Sequence, residues 1–162
     1  MNRWLEETLS LADGPDDPRD EDPWNPAGWV PFRIENEVRW CYMGDSRFTE
    51  PFFEDTIRRQ RRNHPVRRSS VESLISWAAE SPGIAPTAFI FHVSRSGSTL
   101  FSQMAAALPE AIAISEAPPL DDVLRSGGSD EVRIALLRSV VSALGQKRRG
   151  DERDLFVKLD SW

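Results

Sequence analysis

Thr87-Ala88-Phe89-Ile90-Phe91-His92-Val93 runs directly into Ser94-Arg95-Ser96-Gly97-Ser98-Thr99 and then into Leu100-Phe101-Ser102-Gln103-Met104. A short apolar run bounded by turn residues predicts a buried parallel strand over 87–93. The small polar residues after it read as a loop. Residues 100–108 read as a helix, with Leu100, Met104 and Ala107 or Leu108 at helical spacing, closed by Pro109. The same alternation continues downstream. Residues 111–115 (AIAIS) predict a second strand, and Pro119-Leu120-Asp121-Asp122 opens a helix with acids in its first turn. Residues 130–145 predict a longer amphipathic helix that ends at Gly145 before a basic cluster, and 154–160 (DLFVKLD) a third strand. Strand, helix, strand, helices, strand is the order of an α/β domain with a parallel sheet, placed over 86–162. Three strands do not cover both faces of a parallel sheet, so the expectation is an incomplete sheet belonging to a longer domain.

Upstream the chain changes character. Residues 1–31 form an acidic, proline-rich lead-in: Pro15, Pro18, Pro23, Pro26 and Pro31 stand among acids and glycines and predict extended, weakly structured chain. Residues 32–85 predict a small α+β extension. Ile34 to Tyr42 reads as a strand or hairpin, with Val38, Trp40 and Tyr42 at alternate positions. Thr49, Glu50 and Pro51 resemble a cap and first turn for a helix over 49–63. Ser70 and Ser73 are plausible caps for a second helix over 70–80, whose Leu74, Trp77 and Ala78 share a face.

Among 162 residues, 40% are apolar and the formal net charge is −6, a composition suited to a globular protein. A membrane span needs roughly 20 consecutive apolar residues; the apolar run at 88–93 is far shorter and is broken by His92. Nothing at the N-terminus reads as a signal peptide, and a lone Cys41 favours a reducing compartment, so a cytoplasmic location is expected. Arginine outnumbers lysine 18 to 2, and six arginines crowd residues 58–68. Guanidinium suits bidentate recognition of phosphate or sulfate. That run is read as a solvated helix face plus a mobile loop. A nucleic-acid partner is not expected, because no nucleic-acid motif accompanies the run and the overall charge is negative.

The loop after the first strand carries the chemistry. A helix start leaves several backbone N–H groups unpaired, and the helix dipole adds positive potential there. Such a terminus suits an oxyanion. Gly97 permits close backbone approach, Ser96, Ser98 and Thr99 offer hydroxyls, and Arg95 supplies charge; the plainer alternative is a βα turn with a Ser/Thr cap. The nucleoside-triphosphate signature G-x-x-x-x-G-K-[ST] fails, since His92 and Ser98 occupy its glycine and lysine positions. G-x-S-x-G around Ser96 fails as well, and neither HExxH nor CxxC occurs, so no metal site is expected.

Ser94-Arg95-Ser96-Gly97-Ser98-Thr99-Leu100 resembles the 5′-phosphosulfate loop of sulfotransferases that use 3′-phosphoadenosine 5′-phosphosulfate (PAPS), usually written P-[KR]-S-G-T-T-x. Arg95, Ser96, Gly97 and Thr99 match; Ser94 replaces proline and Ser98 replaces threonine. The likeness spans about 88–119, because Pro109, the strand over 111–115 and Glu116 follow in the family's register. It implies a P-loop-like α/β fold and transfer of a sulfuryl group from PAPS, as co-substrate, to a hydroxyl or amine acceptor. It also implies that Arg95 and the amides of Ser96, Gly97, Ser98 and Thr99 hold the phosphosulfate, with Glu116 as base and Arg95 as catalytic cation. Family members bind the 3′-phosphate through later segments, so weak or no turnover is expected of these 162 residues alone. Two alternatives remain open: another P-loop nucleotide enzyme such as a small-molecule kinase, or a non-catalytic anion-binding or regulatory module. The acceptor and the oligomeric state are not legible.

Other residues are read as structural. His92 is taken as a sheet or core histidine, His64 as a surface residue, and Cys41 as a small β-segment residue. Lys158 and Asp160 end the third strand on the loop's edge, with a structural or substrate-edge role. The tryptophans are assigned to packing.

Overall fold

The computed structural model describes residues 26–161. Most of the predicted lead-in lies outside the described residues, except that its last three positions, 29–31, already belong to a strand. The described chain contains six strands and five helices, in two three-stranded sheets. The first sheet is antiparallel, ordered β1 (Trp29–Ile34), β2 (Val38–Tyr42), β3 (Val66–Ser69). The predicted hairpin is therefore present, and its first strand starts five residues before Ile34.

Helix α1 spans Phe53–Gln60. It begins later than Thr49 and Pro51 suggest: Phe52 is the N-cap, and no side chain caps the helix. Glu50 instead accepts a hydrogen bond from Thr56 and pairs with Arg59, so the pre-helical acid braces the helix from outside. The arginine run does not end in a loop. Val66, Arg67 and Arg68 pair with β2 as β3, and both arginines stay exposed, although they point to opposite faces of this outer strand. Helix α2, Val71–Glu80, follows at once, with Ser70 accepting from the Ser73 N–H as predicted.

The second sheet is parallel, in the order β4 (Ala88–Ile90), β6 (Asp154–Lys158), β5 (Ala111–Ser115). Helix α3 (Ser98–Ala107) links β4 to β5, while α4 (Pro118–Arg125) and α5 (Asp130–Leu144) lead from β5 to β6. The α/β reading with a small parallel sheet is thus correct. The two faces of this sheet are covered differently. Ile112, Ile114, Leu155 and Val157 share one core with α4, α5 and the antiparallel sheet, including Val30, Val38 and Trp40. The opposite face presents Ala113 and Phe156 to Ala105 and Ala106 of α3, where small side chains let the helix sit close.

Gly83 marks another close approach: a Cβ there would lie 2.1 Å from the Ser142 carbonyl oxygen at the end of α5. Gly83 N–H donates to Ser142 Oγ, and Ile84 N–H donates to Gly145 O.

Three expectations for the loop region are corrected. The strand is shorter than 87–93, because pairing with β6 stops at Ile90. It is also not buried: Phe89 is 46% and Phe91 77% exposed, since β4 is the outer strand of its sheet. Finally, α3 starts at Ser98 and turns Ser102, Ala105 and Ala106 inward, leaving Leu100, Met104 and Leu108 exposed. The spacing of the large residues was read correctly, but the helix buries its small face.

Candidate anion and acid–base site

Both predicted functional segments lie at the carboxyl ends of parallel strands, the edge where open α/β sheets hold ligands. The strand stops at Ile90, whose carbonyl still accepts from Leu159 N–H. Phe91 to Gly97 then form the loop that leads into α3. Ser96 N–H donates to Val93 O at 3.3 Å, closing a tight turn. Gly97 is the N-cap of α3 at φ +83, a left-handed conformation that glycine adopts without a Cβ penalty. No side chain caps this terminus. Ser98 and Thr99, which the capping alternative would use, make no cap hydrogen bond, so their N–H groups remain available to a ligand. Leu100 N–H, by contrast, donates to Gly97 O, and the Ser96 N–H predicted to join them is spent on Val93 O.

Arg95 is exposed and makes no ion pair or hydrogen bond with any described residue. Its backbone lies at φ +61 and that of Glu116 at φ +54. Among the described residues these are the two non-glycine positions in the left-handed region. Each such conformation costs an L-residue roughly 1 kcal/mol or more.

Glu116 follows β5 directly. Its N–H donates to Lys158 O, extending the β5–β6 ladder by one bond. Its Oε1 receives Lys158 Nζ and lies 3.6 Å from His92 Nε2. Oε2 has no partner among the described residues. Lys158 is 1% exposed, and its ammonium stands 5.7 Å from the Phe52 ring centroid, so the carboxylate is its charge partner. Asp121 adds to the acidity of this edge. Burial raises its carboxyl above the usual range, and the nearby charges of Asp160, Asp122 and Glu116 push it further in the same direction, against Arg125.

His92 is not a sheet histidine. It stands two residues past the end of β4, with Nε2 3.0 Å from Leu159 O and Nδ1 3.2 Å from Val93 O. Both ring nitrogens face carbonyl oxygens, and the neutral ring can donate to one of them. His92 also lines a cleft of about 570 Å³ with Ser96, Gly97 and Ser98, whose other walls include Phe91, Phe101 and Met104. It therefore connects the loop to Glu116. The predicted residues fall into two groups: Ser96, Gly97 and Ser98 border the cleft, and Glu116 stands behind His92. Arg95 and Thr99 are not among the lining residues.

Ser115, the last residue of β5, is 5% exposed, and its Oγ has no hydrogen-bond partner. Alternation places it on the same face as Ala113, beneath α3. A buried hydroxyl without a partner is uncommon, since its desolvation is uncompensated.

His92, Lys158 and Ser115 are the participants that sequence reasoning missed or discounted. Lys158 carried one legible signal, a charge interrupting an apolar strand. The other two had none, because their positions depend on where β4 ends and which face α3 covers. Cys41 lies in β2, the β segment expected for it; it is buried, and burial pushes its thiol up to about 11, which removes it from nucleophilic chemistry. His64 packs edge-on against Tyr42 at 5.1 Å, half-buried where a surface position was expected. Trp40 is fully buried, with Trp29 and Trp77 packed around the core. No helix among the described residues is long and apolar enough to cross a membrane.

Comparison with known protein families, with curated proteins and with solved structures returned no match to this chain.

Proposed function

We propose that this edge binds the phosphosulfate end of PAPS and supports sulfuryl transfer to a hydroxyl or amine acceptor. The observation carrying the reading is the pair of left-handed, non-glycine residues. Arg95 and Glu116, singled out from the sequence for catalysis, are the two described residues held in that costly conformation.

In this reading the free amides at the start of α3 and the unpaired Arg95 guanidinium hold the sulfonucleotide phosphate. As the S–O bond to that phosphate breaks, they stabilise the charge gathering on the leaving oxygen. The acceptor oxygen or nitrogen forms the new bond to sulfur and gives up its proton to Glu116 Oε2, the carboxylate atom left without a partner. Lys158 fixes Oε1 and orients the group, so it is a positioning residue. The apolar walls of the cleft suit a flat ring of donor or acceptor.

Calorimetric titration of adenosine 3′,5′-bisphosphate and of ATP with Mg²⁺ tests this directly. The bisphosphate is expected to bind more tightly, and Arg95→Ala to weaken it about tenfold or more with thermal stability unchanged. Preference for ATP, or no effect of the substitution, would overturn the reading.

A further inference from the structure

A second cleft, of about 450 Å³, opens between the β1–β2 hairpin and α1, and five arginines line it: Arg33, Arg39, Arg58, Arg61 and Arg62. Glu54 is the one acid in the lining. Some of this charge is answered from outside: Arg33 by Asp122 and Glu35, Arg39 by Glu35 and Glu37, and Arg58 by Asp55. Arg61 and Arg62 have no acidic partner among the described residues. The Arg61 guanidinium instead stands 5.0 Å from the Phe32 ring centroid, which holds it in place with its donors unspent.

Both walls bring like charges together. Arg33 and Arg39 are direct cross-strand partners, an arrangement that destabilises a sheet. Arg58 lies in the last turn of α1, and Arg61, the helix C-cap, and Arg62 follow directly, so three arginines cluster at the helix end. A register irregularity between Pro31 and Arg33 allows consecutive Phe32 and Arg33 both to line the cleft, although simple alternation would separate them. With Arg33, Arg39 and Arg58 already answered by acids, the charge left over is that of Arg61 and Arg62, which an anion carrying several charges would meet. The volume is that of a small-molecule site.

We propose that this cleft binds a small molecule carrying two or more phosphate or sulfate groups, at a site separate from the loop after β4. Calorimetry with inorganic pyrophosphate and with a disulfated monosaccharide distinguishes the two sources of charge. It is best performed in an Arg95→Ala background, so that the loop does not contribute. At least one probe is expected to bind there, and Arg61→Ala/Arg62→Ala to weaken it about tenfold or more. Because Arg61 also braces Phe32, Glu54→Gln gives an independent arm: removing the one acid should tighten binding about two- to fivefold. Binding that neither change alters, or no binding of either probe, would refute the site. So would a duplex oligonucleotide held more than about tenfold tighter than both probes, since the cleft would then belong to a nucleic-acid surface.

Discussion

Gly97 and Glu116 meet the same left-handed demand on the backbone at one edge of the sheet, the first as a glycine and the second as an L-residue. A Cβ at Gly97 would meet nothing within 4 Å, so Gly97→Ala costs the left-handed conformation alone, about 1 kcal/mol by urea unfolding. The Glu116–Lys158 pair should respond asymmetrically. Glu116→Ala strands a buried ammonium and is expected to cost about 3 kcal/mol. Lys158→Met removes that charge and leaves a carboxylate that is still 23% exposed, so the loss should be below about 1 kcal/mol. Equal losses would mean that the ammonium is not held as described. Ser115→Ala should stabilise the free protein by about 1 kcal/mol, because it deletes a buried hydroxyl with no partner. These residues show how far sequence takes the site. Ser96, Gly97 and Ser98 could be read from their order, but Ser115 is unremarkable until β5 is laid under α3.

The Glu152 side chain gathers the backbone of the turn from α5 into β6. Glu152 is 3% exposed and accepts from the N–H groups of Arg148, Arg149 and Gly150. Burial is the largest influence and acts upward on its carboxyl, but the backbone donors together outweigh it and leave it below its ordinary value of 4.5. A carboxyl depressed by folding stabilises the protein above its unfolded value and loses that contribution as pH falls through the folded one. Wild type should therefore lose stability below about pH 4.5 more steeply than Glu152→Gln, as followed by Tm against pH. At the same, C-terminal end of α5, Gly83→Ala would drive a Cβ into the Ser142 carbonyl, and a loss exceeding about 3 kcal/mol is expected.

One hydrophobic core joins the antiparallel sheet, α4, α5 and the inner face of the parallel sheet. The described chain should then unfold in a single cooperative transition, with tryptophan fluorescence and far-UV dichroism superimposing. Ile114→Ala, at the centre of that core and 1% exposed, should lower the common midpoint by about 2–5 kcal/mol of stability without separating the two signals. Division into an extension over 32–85 and a domain over 86–162 followed composition along the chain. Composition does not show that Val30 and Trp40 of the first segment share a core with Ile114 and Val157 of the second.

Local order in the sequence determined the alternation of strands and helices after Thr87, the serine cap of α2, and a glycine-hinged loop at a helix start. Each depends on neighbours within a turn or two, where propensity, capping and backbone freedom act. Tertiary structure alone decided that α3 buries its alanines, that β3 arises from the arginine run, and that His92 meets Glu116 beside a buried lysine. Those outcomes depend on which surfaces meet across long stretches of chain, where packing outweighs local preference.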